Sequence, residues 1–290
     1  RIITVHALLE SESLTGAYRF EITPGEATTM RVESRLFPRV RVTRLGVAPG
    51  TSMFWFGPND RGEVSDFRPA VHDSDGLLMH SGGGERIWRP LNNPRTLQIS
   101  GFQDRAPRGF GLMQRRRSFA DYQDLEAEYH RRPGLWVEPE GDWGEGEVSL
   151  VEIPTRSEIH DNIVAAWIPR GTLAAGEEQR FTYRLHWLAA PPPAEGVSDF
   201  TSTRAGAVEG ARATRFVLDT APGGVAPDGA KVDASAGEVR HVTIRGNPET
   251  GGHRLSFELH HGGVRLAELR AVLTRGGTPV SEIWLNRWTA

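Results

Sequence analysis

The chain is written in short alternating runs. "RIITVHALLE" and "TGAYRFEITPGE" alternate apolar and polar positions, and the second run closes on Pro24–Gly25. In "TTMRVESRLFPRVRVTRLGVAP", Met30, Val32, Ser34 and Leu36 fall at every second position. A period of two puts such residues on one face of a strand. "RTLQISGF" and "EVSLVEIP" repeat the pattern. Runs this short, punctuated by Gly and Pro, predict an antiparallel β architecture. One segment differs. In "SFADYQDLEAEYHRRP", Ser118 and Asp121 stand in capping-box relation, Phe119, Tyr122, Leu125 and Tyr129 recur at helical spacing, and Pro133 follows. This predicts a helix near residues 118–130.

The stretch "LAAPPPAEG", Leu188 to Gly196, divides the chain. Three successive prolines cannot join a central sheet and form a stiff spacer. The expected organisation is a large β-sandwich domain over 1–189, a linker over 190–196 and a smaller module over 197–290. The last part holds "ATRFVLDT", "EVRHVTIRG", "HRLSFELHH", "VRLAELRAVLTRGG" and "SEIWLNRW". Its size and turn spacing predict an immunoglobulin-like β-sandwich.

Composition narrows the function classes. Hydrophobic residues make up 38% of 290, enough for a sizeable core, and no window approaches the roughly 18 continuous apolar residues of a spanning helix. The formal charge is −3 with both signs mixed, and no basic stripe carries interleaved aromatics, which argues against nucleic acid. With no cysteine, disulfides, thiolate chemistry and Cys-based zinc sites are excluded. Lys231 is the only lysine, so Schiff-base chemistry has one conceivable position. The chain opens at Arg1 without Met or a signal-like apolar stretch, which reads as a mature form or a fragment.

Candidate chemistry lies in two places. Residues 50–115 set Phe54, Trp55, Phe56, Phe67 and Trp88 among Arg61, Arg68, Arg86, Arg89, Asn92 and Asn93. Aromatic faces beside such donors suit a sugar ring, which has an apolar face and a hydroxyl rim; the plainer reading makes these aromatics core. "VHDSDGL" holds Asp73 and Asp75; Asp75 reads as turn chemistry, and Asp73 as a carboxylate for a cleft. In "SEIHDNIVAAW", Asp161 stands where a polar run enters an apolar strand, as a turn residue or a catalytic acid. His72, His80 and His160 match no closed zinc spacing, and no phosphate-binding glycine motif is present. No metal or cofactor is expected.

"LGVAPGTSMFWFGPN", "HDSDGL", "ERIWRPLNNP", "GFGLMQR", "DLEAEYHRRPGLWVEP", "GDWGEGEVSLVEIPT" and "HDNIVAAW" together resemble the osmoregulated periplasmic glucan biosynthesis proteins, the OpgG/OpgD (MdoG/MdoD) family. The resemblance runs through the first 190 residues and continues more weakly beyond the prolines. It implies a periplasmic protein acting on β-1,2-glucan, as an inverting endo-glucanase or as a transglycosylase. In that scheme Asp161 is the general acid, Asp73 the general base working through waters or a substrate hydroxyl, and Tyr129 belongs to the active-site region. A non-catalytic partner that shapes glucan for a membrane glucan synthase is the alternative. The resemblance also implies a further N-terminal stretch, whose absence would leave the first sandwich incomplete unless that segment or a second chain completed its sheet.

These readings set specific expectations. Trp55, Arg61, Trp88, Arg89 and Tyr129 should line one groove with Asp73 and Asp161. Asp161, at a strand mouth, should be desolvated and raised in pKa, while Asp73, in a polar loop, should stay solvated and ionised.

Overall fold

The computed structural model describes residues 2–193 and 196–290. The expected linker is described except for positions 194 and 195, which lie outside the described residues. The chain is nearly all strand. Eight strands of the first domain lie in one sheet, in the spatial order Ile3–Glu10, Leu14–Thr23, Thr28–Pro38, Gln179–Leu188, Gly134–Glu140, Gly109–Met113, Gly76–His80 and Arg86–Pro90. A second sheet of Val47–Ser52, Ile163–Pro169, Glu145–Glu152 and Gln98–Arg105 faces it. Between them lies one core, with Val32, Leu77, Phe110, Val137 and Tyr183 from the large sheet against Val47, Leu150, Ile163 and Trp167 from the small one. The period-two reading holds here: Val32, Ser34 and Leu36 are buried on one face.

The run "GLLMH" does not alternate, because both of its faces are covered. Leu77 and Met79 enter the first core, whereas Leu78 enters a second, shared with Trp88, Met113 and Trp136 and with Phe216, Leu255 and Phe257 of the second domain. A strand buried on both sides reads as a continuous apolar run. The second domain is itself a sandwich. Phe200–Ala207, Ala213–Thr220, Gly252–His260 and Glu238–Asn247 form one sheet. Gly229–Ala234, Leu266–Arg275 and Ile283–Thr289 form the other, which continues the large sheet of the first domain. Ile283 and Trp284 pair in parallel with Ile87 and Trp88. Strands from before and after the proline stretch therefore share one 12-stranded sheet in space.

The expected helix over 118–130 does not form; this segment holds two short 3₁₀ turns, Phe119–Asp121 and Tyr129–Arg131. The capping box is present, with the Ser118 hydroxyl accepting from the Ala120 N–H at 3.2 Å and Asp121 accepting from the Ser118 N–H at 3.3 Å. Helix propagation then fails because Asp124 accepts from the N–H groups of Glu126 and Ala127 at 2.9 and 2.8 Å. Those bonds compete with the helical ladder. Arg68 holds Asp124 at 2.8 Å, so a tertiary ion pair fixes the turn. Tyr122 and Tyr129 are buried, while Leu125 is 82% exposed.

At the far edge of the large sheet every residue of Ile3–Glu10 is exposed, Leu8 at 88%. Among the described residues its outer edge pairs with nothing, leaving one row of backbone N–H and C=O groups unpaired.

The domain junction is ionic and buried. Arg115 donates two hydrogen bonds to Glu282, and its guanidinium lies 3.7 Å from the Trp88 ring centroid. Arg86 holds Asp199 at 2.8 Å. Removing one member of a buried pair strands the other charge, at a cost of about 3–5 kcal/mol. Arg115→Met should destabilise the protein by about that much in denaturant unfolding, and Arg115→Met/Glu282→Leu should recover a large part of the loss.

Candidate functional site

The site is built from the loop that follows Glu145–Glu152. It returns to the core at Asn162, which is buried and satisfies three backbone groups. Asn162 accepts from the Phe54 N–H at 2.8 Å and donates to the carbonyls of Phe54 and Ile153 at 3.0 and 2.9 Å. The strand Ile163–Pro169 begins immediately after it. The residue at the strand mouth that is desolvated is therefore Asn162. Asp161, one position earlier, is exposed. This corrects the expectation of a half-buried Asp161: the amide can meet all its partners inside, and the carboxylate is left at the rim.

Asp73 takes the desolvated place instead. It follows Val71–His72, and its N–H donates to the Met53 carbonyl at 2.8 Å. Its side chain is 24% exposed and meets the Arg132 guanidinium at 2.6 Å. Burial pushes its pKa up, Arg132 opposes the shift, and the nearby charges of Asp161 and Glu158 raise it further. The two carboxylates singled out in the sequence thus lie within electrostatic reach of each other. The expected order of solvation is reversed, and Arg132, just past the 3₁₀ turn Tyr129–Arg131, lies against Asp73.

Tyr129 ties the site together. Its hydroxyl donates to Glu158 at 2.7 Å, and the Arg132 guanidinium lies 4.8 Å from its ring centroid. Burial, followed by the bond to Glu158, raises the Tyr129 pKa, which keeps the phenol a donor. Glu158 also accepts from Arg68 at 2.8 Å, and Arg68 in turn binds Asp66 and Asp124. Glu158 and Arg132 are the site residues that sequence reading passed over, while Arg68 was among its candidate donors. The signal was present: Arg132 stands in "YHRRP" beside Tyr129, and Glu158 in the same polar run as Asp161.

The expected groove is only partly assembled. Trp55 and Arg61 border a cavity of about 1200 Å³ between the domains, with Asn92, Asn93, Arg156 and Trp288 on its walls. Arg61 is also committed to the carbonyls of Asp66, Arg68 and Pro69, at 2.8, 3.2 and 3.2 Å. Trp88 and Arg89 are not groove residues. Trp88 is 3% exposed beneath Arg115, and Arg89 is 1% exposed and paired with Glu152 at 3.0 Å. The second domain covers one and the small sheet the other. Asp75 is more than a turn residue, since its carboxylate accepts from the Arg115 N–H at 3.1 Å and burial raises its pKa. His72 stacks on Phe54, bonds Gln114 at 2.8 Å, and is held down to a pKa of about 3 by burial.

With that geometry in place, comparison with known proteins decides the family. The family described as "Periplasmic glucan biosynthesis protein, MdoG" matches residues 1–288. A glucans biosynthesis protein G of Vibrio cholerae is 56% identical over 294 residues, covering 99% of this chain and 54% of the relative. Proteins of the same name from Rhodopseudomonas palustris and Bradyrhizobium diazoefficiens are 52% and 51% identical over 99% of this chain and 58% of their own length. The chain belongs to the MdoG family. It spans about half the length of the curated MdoG relatives it matches. No helix among the described residues of this MdoG chain is long and apolar enough to cross a membrane.

Asn162→Ala removes a donor and an acceptor that serve three buried backbone groups, each costing about 1–3 kcal/mol when left unpaired; chemical unfolding should show a loss of at least about 2 kcal/mol. Asp73 behaves oppositely. Its folded pKa lies above the unfolded value, so ionising it opposes folding, a penalty absent below the ordinary aspartate value of 3.8 and complete above the raised folded pKa. Asp73→Asn carries no such penalty. The stability of the variant relative to wild type should therefore climb as pH rises through that window and then level off, as read by thermal melts from acid to neutral pH.

Proposed function

We propose that this chain carries the acid–base pair of a β-1,2-glucan-active enzyme of periplasmic glucan biosynthesis, hydrolysing by inversion with Asp161 as general acid and Asp73 as general base. The observation that carries the reading is the placement of two carboxylates in unlike settings within one electrostatic field. Asp73 is desolvated but faces Arg132 at 2.6 Å. Desolvation strengthens it as a proton acceptor, and the guanidinium favours the ionised form that must accept. Asp161 lies at the rim, where a bound glucan would cover it. There it is placed to serve as the general acid that inverting hydrolysis requires. A water attacks the anomeric carbon and passes its proton to Asp73, directly or through a hydroxyl, while Asp161 protonates the departing glycosidic oxygen. The Tyr129–Glu158 bond and Arg132 hold the floor of this site in place.

A second reading draws on the cavity beside Trp55. Its aromatic and amide walls suit sugar binding without chemistry, as a glucan-shaping partner of a membrane glucan synthase would need. Incubating the full-length protein with linear β-1,2-glucan and following chain length separates the readings. Hydrolysis shortens the chains, transglycosylation redistributes their lengths or closes rings, and a shaping protein binds glucan unchanged. Under the proposal, Asp161→Asn and Asp73→Asn should each lower turnover by at least about 100-fold, the lower end of acid–base contributions, with glucan affinity little altered. Near-normal turnover of Asp161→Asn would reduce that residue to a loop carboxylate.

A further inference from the structure

The second domain carries a cluster that the glucan reading does not use. Glu258 and His260 stand two positions apart on the strand Gly252–His260 and so share a face. Phe257 and Leu259, their alternates, are buried in the domain core, so Glu258 and His260 point outward. On the neighbouring strand Glu238–Asn247, Arg240 pairs with Glu258. His241 comes next and in regular pairing would turn inward, toward Phe257.

It does not, because the ladder slips there. Between the pairs Arg240↔Glu258 and Thr243↔Ser256 one strand advances three residues and its partner two. This is a β-bulge, and it re-aims a side chain. His241 takes the left-handed conformation at φ 54°, which costs a non-glycine residue about 1 kcal/mol. The result is a His241 side chain that is 70% exposed with Nε2 3.9 Å from Glu258 Oε2. His260 Nε2 lies 2.9 Å from the same oxygen. The other oxygen, Oε1, is held by Arg215 at 2.6 Å. Arg215 thus orients the carboxylate and leaves Oε2 to the two imidazoles.

We propose that His241, Glu258 and His260 form a binding site for a zinc-class divalent cation on the outer face of the second domain. Their three donor atoms lie within 4.8 Å of one another. A tetrahedral ion with bonds of about 2.0–2.2 Å would set them roughly 3.3–3.6 Å apart. The distances of 2.9 and 3.9 Å to Oε2 bracket that span, and the exposed His241 is free to make the adjustment. The imidazole rings, with centroids 6.1 Å apart and planes at 55°, already converge. The fourth position opens into a surface cavity of about 480 Å³ beside Thr243, Ser256, Arg245 and Arg254, where water would complete the shell.

The surrounding charge sets which ion fits. Arg215 is neutralised by Glu258, Arg254 by Asp219 at 2.7 Å, and Arg240 by Glu238 at 2.5 Å. Arg245 pairs across the ladder with Arg254 and adds positive charge. A hard cation bound through oxygen gains little here. Zinc, nickel and copper, which favour imidazole nitrogen, gain most.

The test is zinc titration of the tag-free, chelator-stripped protein by calorimetry and by competition with a chromogenic chelator. One equivalent should bind, unaffected by excess magnesium, and should raise the melting temperature by clipping the two strands together. His241→Ala, which alters an exposed side chain and leaves the core intact, should weaken that equivalent at least about 10-fold and abolish the thermal shift. Glu258→Gln and His260→Ala should do the same. If no zinc binds, or if His241→Ala binds zinc as tightly as wild type, the proposal is wrong.

Discussion

The buried Arg115–Glu282 pair is the point on which the architecture turns. Glu282 lies in the second domain, and burial raises its pKa against the pull of Arg115. One of its oxygens also accepts from the Phe200 N–H at 2.7 Å, and Arg115 donates to the Phe200 carbonyl at 2.6 Å. A charged pair so far from water needs further polar partners to offset its desolvation. The Phe200 backbone supplies two, and the Trp88 ring and the nearby Arg86–Asp199 pair add to them, while the Arg115 Nε donor finds no partner among the described residues. The junction is therefore specified by geometry, and a slip of one residue would strand a charge.

That junction reaches the candidate site through one residue. While the Arg115 side chain holds Glu282, its N–H holds Asp75 at 3.1 Å. The Asp75 backbone is pinned on both sides, its N–H to the Met113 carbonyl at 2.9 Å and its carbonyl to the Leu91 N–H at 3.0 Å. Asp73 is two positions away. Its loop is thus clamped from the domain junction at one end and from Met53 at the other. Asn162 does the same for Asp161 by closing on Phe54, the neighbour of Met53. Both carboxylates are carried by backbone locked to the strand pair Phe54–Phe56 and Val71–His72, which holds the geometry that acid–base chemistry demands.

What the sequence conveyed was whatever depended on local period. Alternation placed Val32, Ser34 and Leu36 on a buried face. The failures share one cause, which is contact between distant segments. The 118–130 segment has helical spacing and a true capping box, yet Arg68, about fifty residues earlier, captures Asp124 and turns the chain away. Trp88 and Arg89 stand among donors that suit a sugar, but local sequence does not reveal that Trp284 pairs beside Trp88 or that Glu152 awaits Arg89. At Asp161 the pattern identified the strand mouth correctly and missed which of two adjacent polar residues it swallows. Asn162 carries both a donor and an acceptor, and three backbone groups need both kinds, whereas a carboxylate offers only acceptors.

The shared sheet also bears on what the second domain is for. A detachable module would meet its neighbour through a polar, wet surface. Here the contact is a strand pairing flanked by Leu78, Trp88, Met113 and Trp136, all buried. Without the second domain the strand Gly76–His80 would lose the cover on one face and Arg115 its counter-charge. Asp75 would then be held by a backbone whose side chain had nowhere to point. The strands following the prolines extend the sheet that carries Gly76–His80, so the backbone that anchors Asp75, two positions from Asp73, rests on both halves of the chain.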